Sequence, residues 1–334
     1  MKKLLTAICG LALTAGVAMA DPAGCDGDEE MVKFSHVTNS DNDPKGIAAE
    51  LFAQRVNEEM DGKMCVEVYP NSMLYDDSKV LDAILEGNIQ LAAPSLSKFE
   101  AFTKAFQIYD LPFMFKNIGA VDEFQHSEAG MKMKASMEDQ GLSGLEYWHG
   151  GMKQFSASKP LLLPGDAKGL KFRVQPSEVI VAQIEALGAT AQPMAFSEVY
   201  GALQAGVVDG QENSWANINS QKFYEVQDGV TVTNHGVLDY LVVASVDWLG
   251  GLDPEIRDQM LTILNEVTVE RNAVVNDIAE QALKAMTDSG VEVRELDDAQ
   301  RQAWGDAMKP VWEQFADDIG QENIDAVQAI NEKH

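Results

Sequence analysis

The chain has 334 residues, with 53 acidic against 25 basic side chains, a net charge of −28 and an apolar share of 46%. A surface this acidic repels phosphate backbones and anionic membranes, which excludes nucleic-acid and lipid-headgroup binders. The length is ample for two lobes, and cations are scarce enough that any cation at a strand end is informative.

The first twenty residues, MKKLLTAICGLALTAGVAMA, have the form of a secretory signal. Lys2 and Lys3 precede an apolar run from Leu4 to Val17, and Ala18-Met19-Ala20 supplies a small-x-small cleavage pattern. The run is too short to span a bilayer, and no later stretch is long enough. Cleavage after Ala20 removes two lysines and leaves 314 residues at −30. The expected product is an exported protein of a Gram-negative periplasm. Cys25 and Cys65 remain in it, and an oxidising compartment permits a disulfide between them. Their thiols can meet if the strands beside them pair in parallel. Two separate reduced cysteines are the alternative.

Residues 31–37 (MVKFSHV) alternate as a strand, after a loose acidic segment from 21 to 30. Asp43 caps and Pro44 opens a helix with Ile47, Leu51, Phe52 and Val56 as its apolar stripe, ending near Gly62. Residues 63–70 form a second strand. A strand, a helix and a strand at this spacing define a parallel α/β unit. A helix closed by Gly87 and the strand NIQLAAPS follow, then helix over 120–140 and the strand LEYWHGG. Residues 170–174 (LKFRV) are a strand, and Ser177 caps a helix over 178–187. FSEVYGALQAG is a helix closed by Gly206, VVDGQENS a strand, and DYLVVASVDWL a long apolar strand. From Pro254 to about Ser289 the pattern is one nearly continuous helix. The last forty-odd residues are helical, with Trp304, Trp312 and Phe315 as packing residues.

AILEGNIQLAAPS (83–95) and ALQAGVVDGQENS (202–214) share an order of helix end, glycine, short strand and polar segment. That echo predicts two related lobes, each giving a strand end to a shared cleft. Ligands of open α/β sheets sit beyond the carboxyl ends of strands, which sets Ser95 opposite Asn213, Trp215 and Asn217. The amide-rich run DGQENSWANINSQKF is poor core material, since each buried amide needs a partner. It is either a turn with Trp215 folded onto the core, or the wall of a small-ligand pocket.

Arg173 lies late in its strand, with Phe172 and Val174 pointing to the opposite face. It needs a counter-charge, either an internal carboxylate or the carboxylate of a ligand held by two parallel donors. Lys153 follows HGGM at what reads as another strand end. His36 ends the first strand. Lys45 stands in the first turn of a helix, where anions are favoured. It is therefore either exposed or drawn with the helix start to the same anion. The five histidines, His36, His126, His149, His235 and His334, show no metal-ligand spacing. There is no G-x-S-x-G elbow, P-loop or G-x-G-x-x-G after a strand. No metal, cofactor or catalytic residue is expected.

The segment KGLKFRVQPSEVIVAQIEALGATAQPMAFSEVYGALQAGVVDGQENSWANINSQKFYEVQDGVTVTNH closely resembles the signature region of substrate-binding proteins of tripartite ATP-independent periplasmic (TRAP) transporters. KFSHVT, DPKGIAAELFAQRV and VEVYPNSMLYDD resemble the family's opening strand, helix and strand. PKG, APSLSKF, MKQFSA and QENSWANINSQKF look most like its four-carbon dicarboxylate branch. The resemblance implies an α/β, type II-like two-lobed binding fold with a long helix spanning both lobes. Residues 27–150 with about 239–278 would form one lobe, and 151–238 with about 279–332 the other. It implies that Arg173 pairs with a ligand carboxylate and that Asn213 is the cleft asparagine. Lys153 falls at an often basic position, Phe196 packs on the ligand, and His36, Ser95, Trp215, Asn217 and His235 face the cleft. Arg173 and Asn213 would hold one carboxylate, and Lys153, His36 and Lys45 are candidates for the other. The implied partners are a small organic acid and the membrane permease subunits, with the binding protein a monomer. Malate, succinate and fumarate lead as ligands. Lactate, keto acids, sugar acids, a sensor-linked role and a periplasmic hydrolase or isomerase stay open.

Overall fold

The computed structural model describes Cys25 and residues 29–334, so the signal-peptide expectation for residues 1–20 lies outside it. Among the described residues nine strands form one mixed sheet. They are β1 (Glu30–Ser35), β2 (Met64–Tyr69), β3 (Leu91–Ala92), β4 (Leu142–Ala157), β5 (Lys171–Val174), β6 (Thr190–Pro193), β7 (Gly210–Ser214), β8 (Gly229–Ser245) and β9 (Val293–Glu295). Their order is β2-β1-β3-β8-β4-β7-β5-β6, with β9 beside β8. No helix among the described residues is long and apolar enough to cross a membrane.

The long antiparallel pair β4 and β8 runs through both ends of the sheet. β3 joins β8 antiparallel, and β1 and β2 extend that end in parallel. β7 joins β4 antiparallel, and β5 and β6 extend the other end in parallel. The echo read in the sequence is therefore a real equivalence of place. Both copies end their helix on a left-handed glycine, Gly87 and Gly206, before the strand that flanks the central pair. One end buries Phe34, Phe52, Val66, Trp148 and Leu264, and the other Phe155, Phe172, Ile184 and Trp304.

Several boundaries moved. HGG does not end a strand. It is a register shift between His149 and Gly151 within β4, which runs on to Ala157. Gly151 takes φ 106°, and a Cβ on Gly150 would meet the Leu238 carbonyl oxygen at 2.5 Å. Only glycines allow this bulge, and their apparent breaking signal misled the reading. NIQLAAPS yields only the two residues of β3. The strand DYLVVASVDWL begins earlier, at Gly229, and stops at Ser245, whose hydroxyl caps the Val246–Gly251 helix. The short strands β6 and β9 carried no alternating apolar signal.

The expected continuous helix is two, Pro254–Asn272 and Val275–Asp288. The break falls where the Asn272 side chain leaves the helix to bond the bulge. Its amide donates to the Tyr147 carbonyl (2.9 Å), and its oxygen accepts from His149 N (3.0 Å). Beside it the buried His149 lies 2.7 Å from Asp239 and 3.2 Å from Asp122. Burial would lower its pKa, but Asp239 and Asp122 outweigh this and raise it to about 9.

Parallel pairing of β1 and β2 sets Met31 beside Cys65, and a Cys25–Cys65 disulfide closes the start of that end at a Cα separation of 5.8 Å. The bridge spans a sequence separation of 40 residues. Loop-closure entropy for such a loop amounts to about 4 kcal/mol. A Cys25→Ser, Cys65→Ser double variant should unfold in urea with up to that loss of stability. An unchanged midpoint would mean that the bridge constrains nothing.

Candidate functional site

A cavity of about 420 Å³ lies where the two ends of the sheet face one another. It collects Thr38, Lys45, Asp77, Ser95, Lys98 and Tyr240 from one end, and Arg173, Gln175, Phe196, Asn213 and Asn217 from the other. Ser95 Oγ donates to Gln175 Oε1 across it.

Arg173 reaches the cavity because β5 alternates: Phe172 and Val174 enter the core, and the guanidinium takes the other face. It is 1% exposed. Nε and Nη2 both donate to the Met194 carbonyl, at 3.2 and 3.0 Å, which fixes the plane of the fork. Nη1 has no partner, and no ion pair forms between Arg173 and any described carboxylate. The internal-salt-bridge alternative for Arg173 is thereby removed. Burial lowers its pKa to about 10, which still leaves it charged at neutral pH. The Phe196 ring centroid lies 5.9 Å from the guanidinium carbon.

Lys45 is fully buried, so the reading of it as an exposed lysine fails. Asp43 caps its helix, accepting from Lys45 N and Gly46 N. Gly46 is required because a Cβ there would lie 2.0 Å from the Asn39 carbonyl oxygen, and this close approach seats the first turn. Lys45 Nζ sits 4.0 Å above the Tyr240 ring and has no hydrogen-bond partner. Burial pushes its pKa down, opposed by the charges of Asp77 and Asp43.

Asn213 is the penultimate residue of β7, and its Oδ1 accepts from Ser214 N (3.0 Å) and Asn217 Nδ2 (2.8 Å). Asn217 Nδ2 also reaches the Tyr240 hydroxyl at 3.4 Å, leaving Asn217 Oδ1 without a partner. Asn213 and Asn217 are thus wired to each other. Trp215 belongs elsewhere. Two residues along a helix turn about 200°, so Asn217 faces the cavity while Trp215 packs against Val199, Leu203, Ile218 and Phe223. The folded-back alternative holds for this tryptophan.

Three more expected residues miss the cavity wall. Lys153, interior to β4 once the glycine pair is a bulge, lies 3.0 Å from Glu212, and both are buried. Burial alone would raise the Glu212 carboxyl, but Lys153 and His235 reverse this and hold it below the usual range. His235 stacks on Phe155 with centroids 4.0 Å apart, and burial pushes its imidazole down. His36 lies under the wall, its Nδ1 3.3 Å from Thr38 Oγ1. Burial, then the charge of Lys45, lowers its pKa to about 3, so it offers no cation.

The sequence reading missed Lys98, Asp77, Gln175 and Tyr240. Lys98 had a signal: the Leu96–Phe99 segment is a 3₁₀ turn, which sets the residue three after Ser95 over it. Burial lowers Lys98 to about 8.

A sheet of two equivalent ends closing on a cavity with buried, unpaired cations defines a two-lobed solute-binding protein. The chain belongs to the bacterial extracellular solute-binding proteins of family 7, whose pattern matches residues 34–318. It is 56% identical over 333 residues, all of both chains, to the C4-dicarboxylate-binding periplasmic protein DctP of Vibrio cholerae. A TRAP periplasmic solute-binding protein from Shewanella oneidensis, solved with bound succinate, is 45% identical. It superposes with a TM-score of 0.89 over 91% of this chain and 99% of that one. A counterpart from Pseudomonas aeruginosa with bound L-malate is 40% identical, with a TM-score of 0.83 over 85% and 99%. Proteins of this family are binding components of transport, not enzymes, so the hydrolase and isomerase alternatives fall.

Lys153 and Glu212 form an internal pair, and removing one partner strands a buried charge. Lys153→Met should cost the ligand-free protein about 3–5 kcal/mol in urea unfolding, and adding Glu212→Gln should restore most of it. A loss under about 1 kcal/mol would return Lys153 to the list of ligand anchors.

Proposed function

We propose that this chain is the periplasmic binding subunit of a TRAP transporter and that it captures a four-carbon dicarboxylate, such as succinate, malate or fumarate, for the permease. One observation carries the reading. Two fully buried cations from opposite ends of the sheet, Arg173 and Lys45, each bring an unpartnered donor to one cavity. A diacid answers both. In this reading one carboxylate takes the free edge of Arg173 and the amide of Asn213. The other takes Lys45 and Lys98, which replace Lys153 and His36 as the distal anchors. The 56% identity to a named C4-dicarboxylate binder and the succinate and L-malate relatives support the same ligand class. Export by cleavage after Ala20, the lobe boundaries near residues 150 and 238, and a monomeric state belong to the same proposal.

Arg173→Ala should weaken succinate or malate binding by about 2–4 kcal/mol, a loss of thirtyfold or more, without unfolding the protein. Calorimetry with butyrate and lactate as comparisons tests the second anchor. Monocarboxylates leave one buried cation unpaired and should bind far more weakly. Equal affinity for both classes would defeat the dicarboxylate reading.

The affinity should also depend on pH with a definite sign. Anion binding favours the protonated form of Lys98, whose pKa in the free protein is about 8. The dissociation constant should be flat from pH 6 to 7 and rise as pH passes about 8, by at most about tenfold per unit. A rise centred below pH 7 would instead implicate the more deeply buried Lys45 or a histidine.

A further inference from the structure

The cavity built to take an anion also contains one of its own. Asp77 lies on its wall with Lys45, Lys98 and Arg173, in the half-buried segment after β2. Among the described residues the Asp77 side chain has no hydrogen-bond partner and no ion pair within 4.0 Å, so it is not spoken for by its own loop. The other wall carboxylates are. Asp76 accepts from Ser78 N and from the Ser78 hydroxyl. Glu198 is exposed and accepts from Ala195 N at 3.1 Å. The charge of Asp77 acts on all three cavity cations. Those cations stand on three separate elements: the Pro44–Glu59 helix, the turn after β3, and β5.

Resting on the carboxylate-binding reading, we propose that Asp77 is a specificity residue: an internal counter-charge that penalises a bound acid in proportion to its charge. A carboxylate at this place has two opposing effects. It offsets the mutual repulsion of Lys98 and Arg173, which come from opposite ends of the sheet. It also repels each carboxylate of the ligand. The second effect scales with the charge of the acid, because a Coulomb interaction is linear in each partner's charge. Asp77 therefore narrows the preference of a strongly cationic cavity, so that it does not hold every polyanion with equal tenacity. Binding that is too tight would slow release to a permease, and a fixed internal anion moderates it without a steric gate.

The test is Asp77→Asn, which keeps shape and removes charge. Affinities for succinate and for its monoamide, succinamate, are measured by displacement calorimetry for wild type and variant. These two ligands match in size and differ by one charge. The variant should bind succinate about tenfold more tightly and succinamate about threefold more tightly. Both gains should shrink at 0.5 M salt, where exposed charge is screened. L-Malate should follow succinate. Thermal unfolding of the ligand-free variant within a few degrees of wild type shows that the fold is kept. An equal gain for both ligands, no gain, or a loss would overturn the proposal. A selective loss of malate would overturn it too, by making Asp77 a hydrogen-bond acceptor for a hydroxyl. If wild type instead prefers another acid, the dicarboxylate reading fails alone, since that acid and its amide in the same variant still decide the role of Asp77.

Discussion

Positive charge buried without an internal partner is the constraint on which the rest of the molecule depends. An unpaired guanidinium or ammonium out of water costs several kcal/mol. This chain holds Arg173 and Lys45 in that state with 1% and 0% exposure, although acidic residues outnumber basic ones by more than two to one. Each is held by a group that orients it without neutralising it. The Met194 carbonyl takes two guanidinium donors and leaves Nη1, and the Tyr240 ring lies under the Lys45 ammonium. A carboxylate entering between them supplies the missing counter-charge. Lys153 makes the contrast plain, since Glu212 already satisfies it and it stands off the cavity wall.

The scaffold explains how charges so far apart in sequence come together. β3 and β7 occupy matching places on either side of β8 and β4, and each delivers a strand end to the same cavity. The two central strands are common to both ends of the sheet. Their register shifts at His149–Gly151, where Asn272, His149 and Asp239 converge and the helix broken after Asn272 crosses over. Any motion that opens the cavity has to pass through strands shared by both ends. A bulge kept by two glycines is where such strands bend most readily.

Much of this was legible because it is periodic. The parallel β1 and β2, the Asp43 and Ser177 caps, and the echo between 83–95 and 202–214 all rest on local patterns. The face of Arg173 followed from strand alternation alone. What was not legible depends on partners distant in sequence. Lys153 could not be told from a ligand anchor without knowing that Glu212 sits two residues from its cross-strand neighbour. His36 has the right place in sequence, but burial beside Lys45 leaves it neutral. Trp215 shares its run with two cavity asparagines and turns away because the helix begins there. Asp77 carried no signal in the sequence, and only the fold sets it on one wall with three cations.

The most direct measurement is a high-resolution crystal structure of the protein with succinate. The account requires one carboxylate to bond Arg173 Nη1 and the Asn213 amide. The other must lie within hydrogen-bond reach of Lys45 Nζ or Lys98 Nζ, with Lys153 still paired to Glu212. A succinate that leaves Arg173 Nη1 or both lysines unengaged, or that breaks the Lys153–Glu212 pair to reach Lys153, would contradict it.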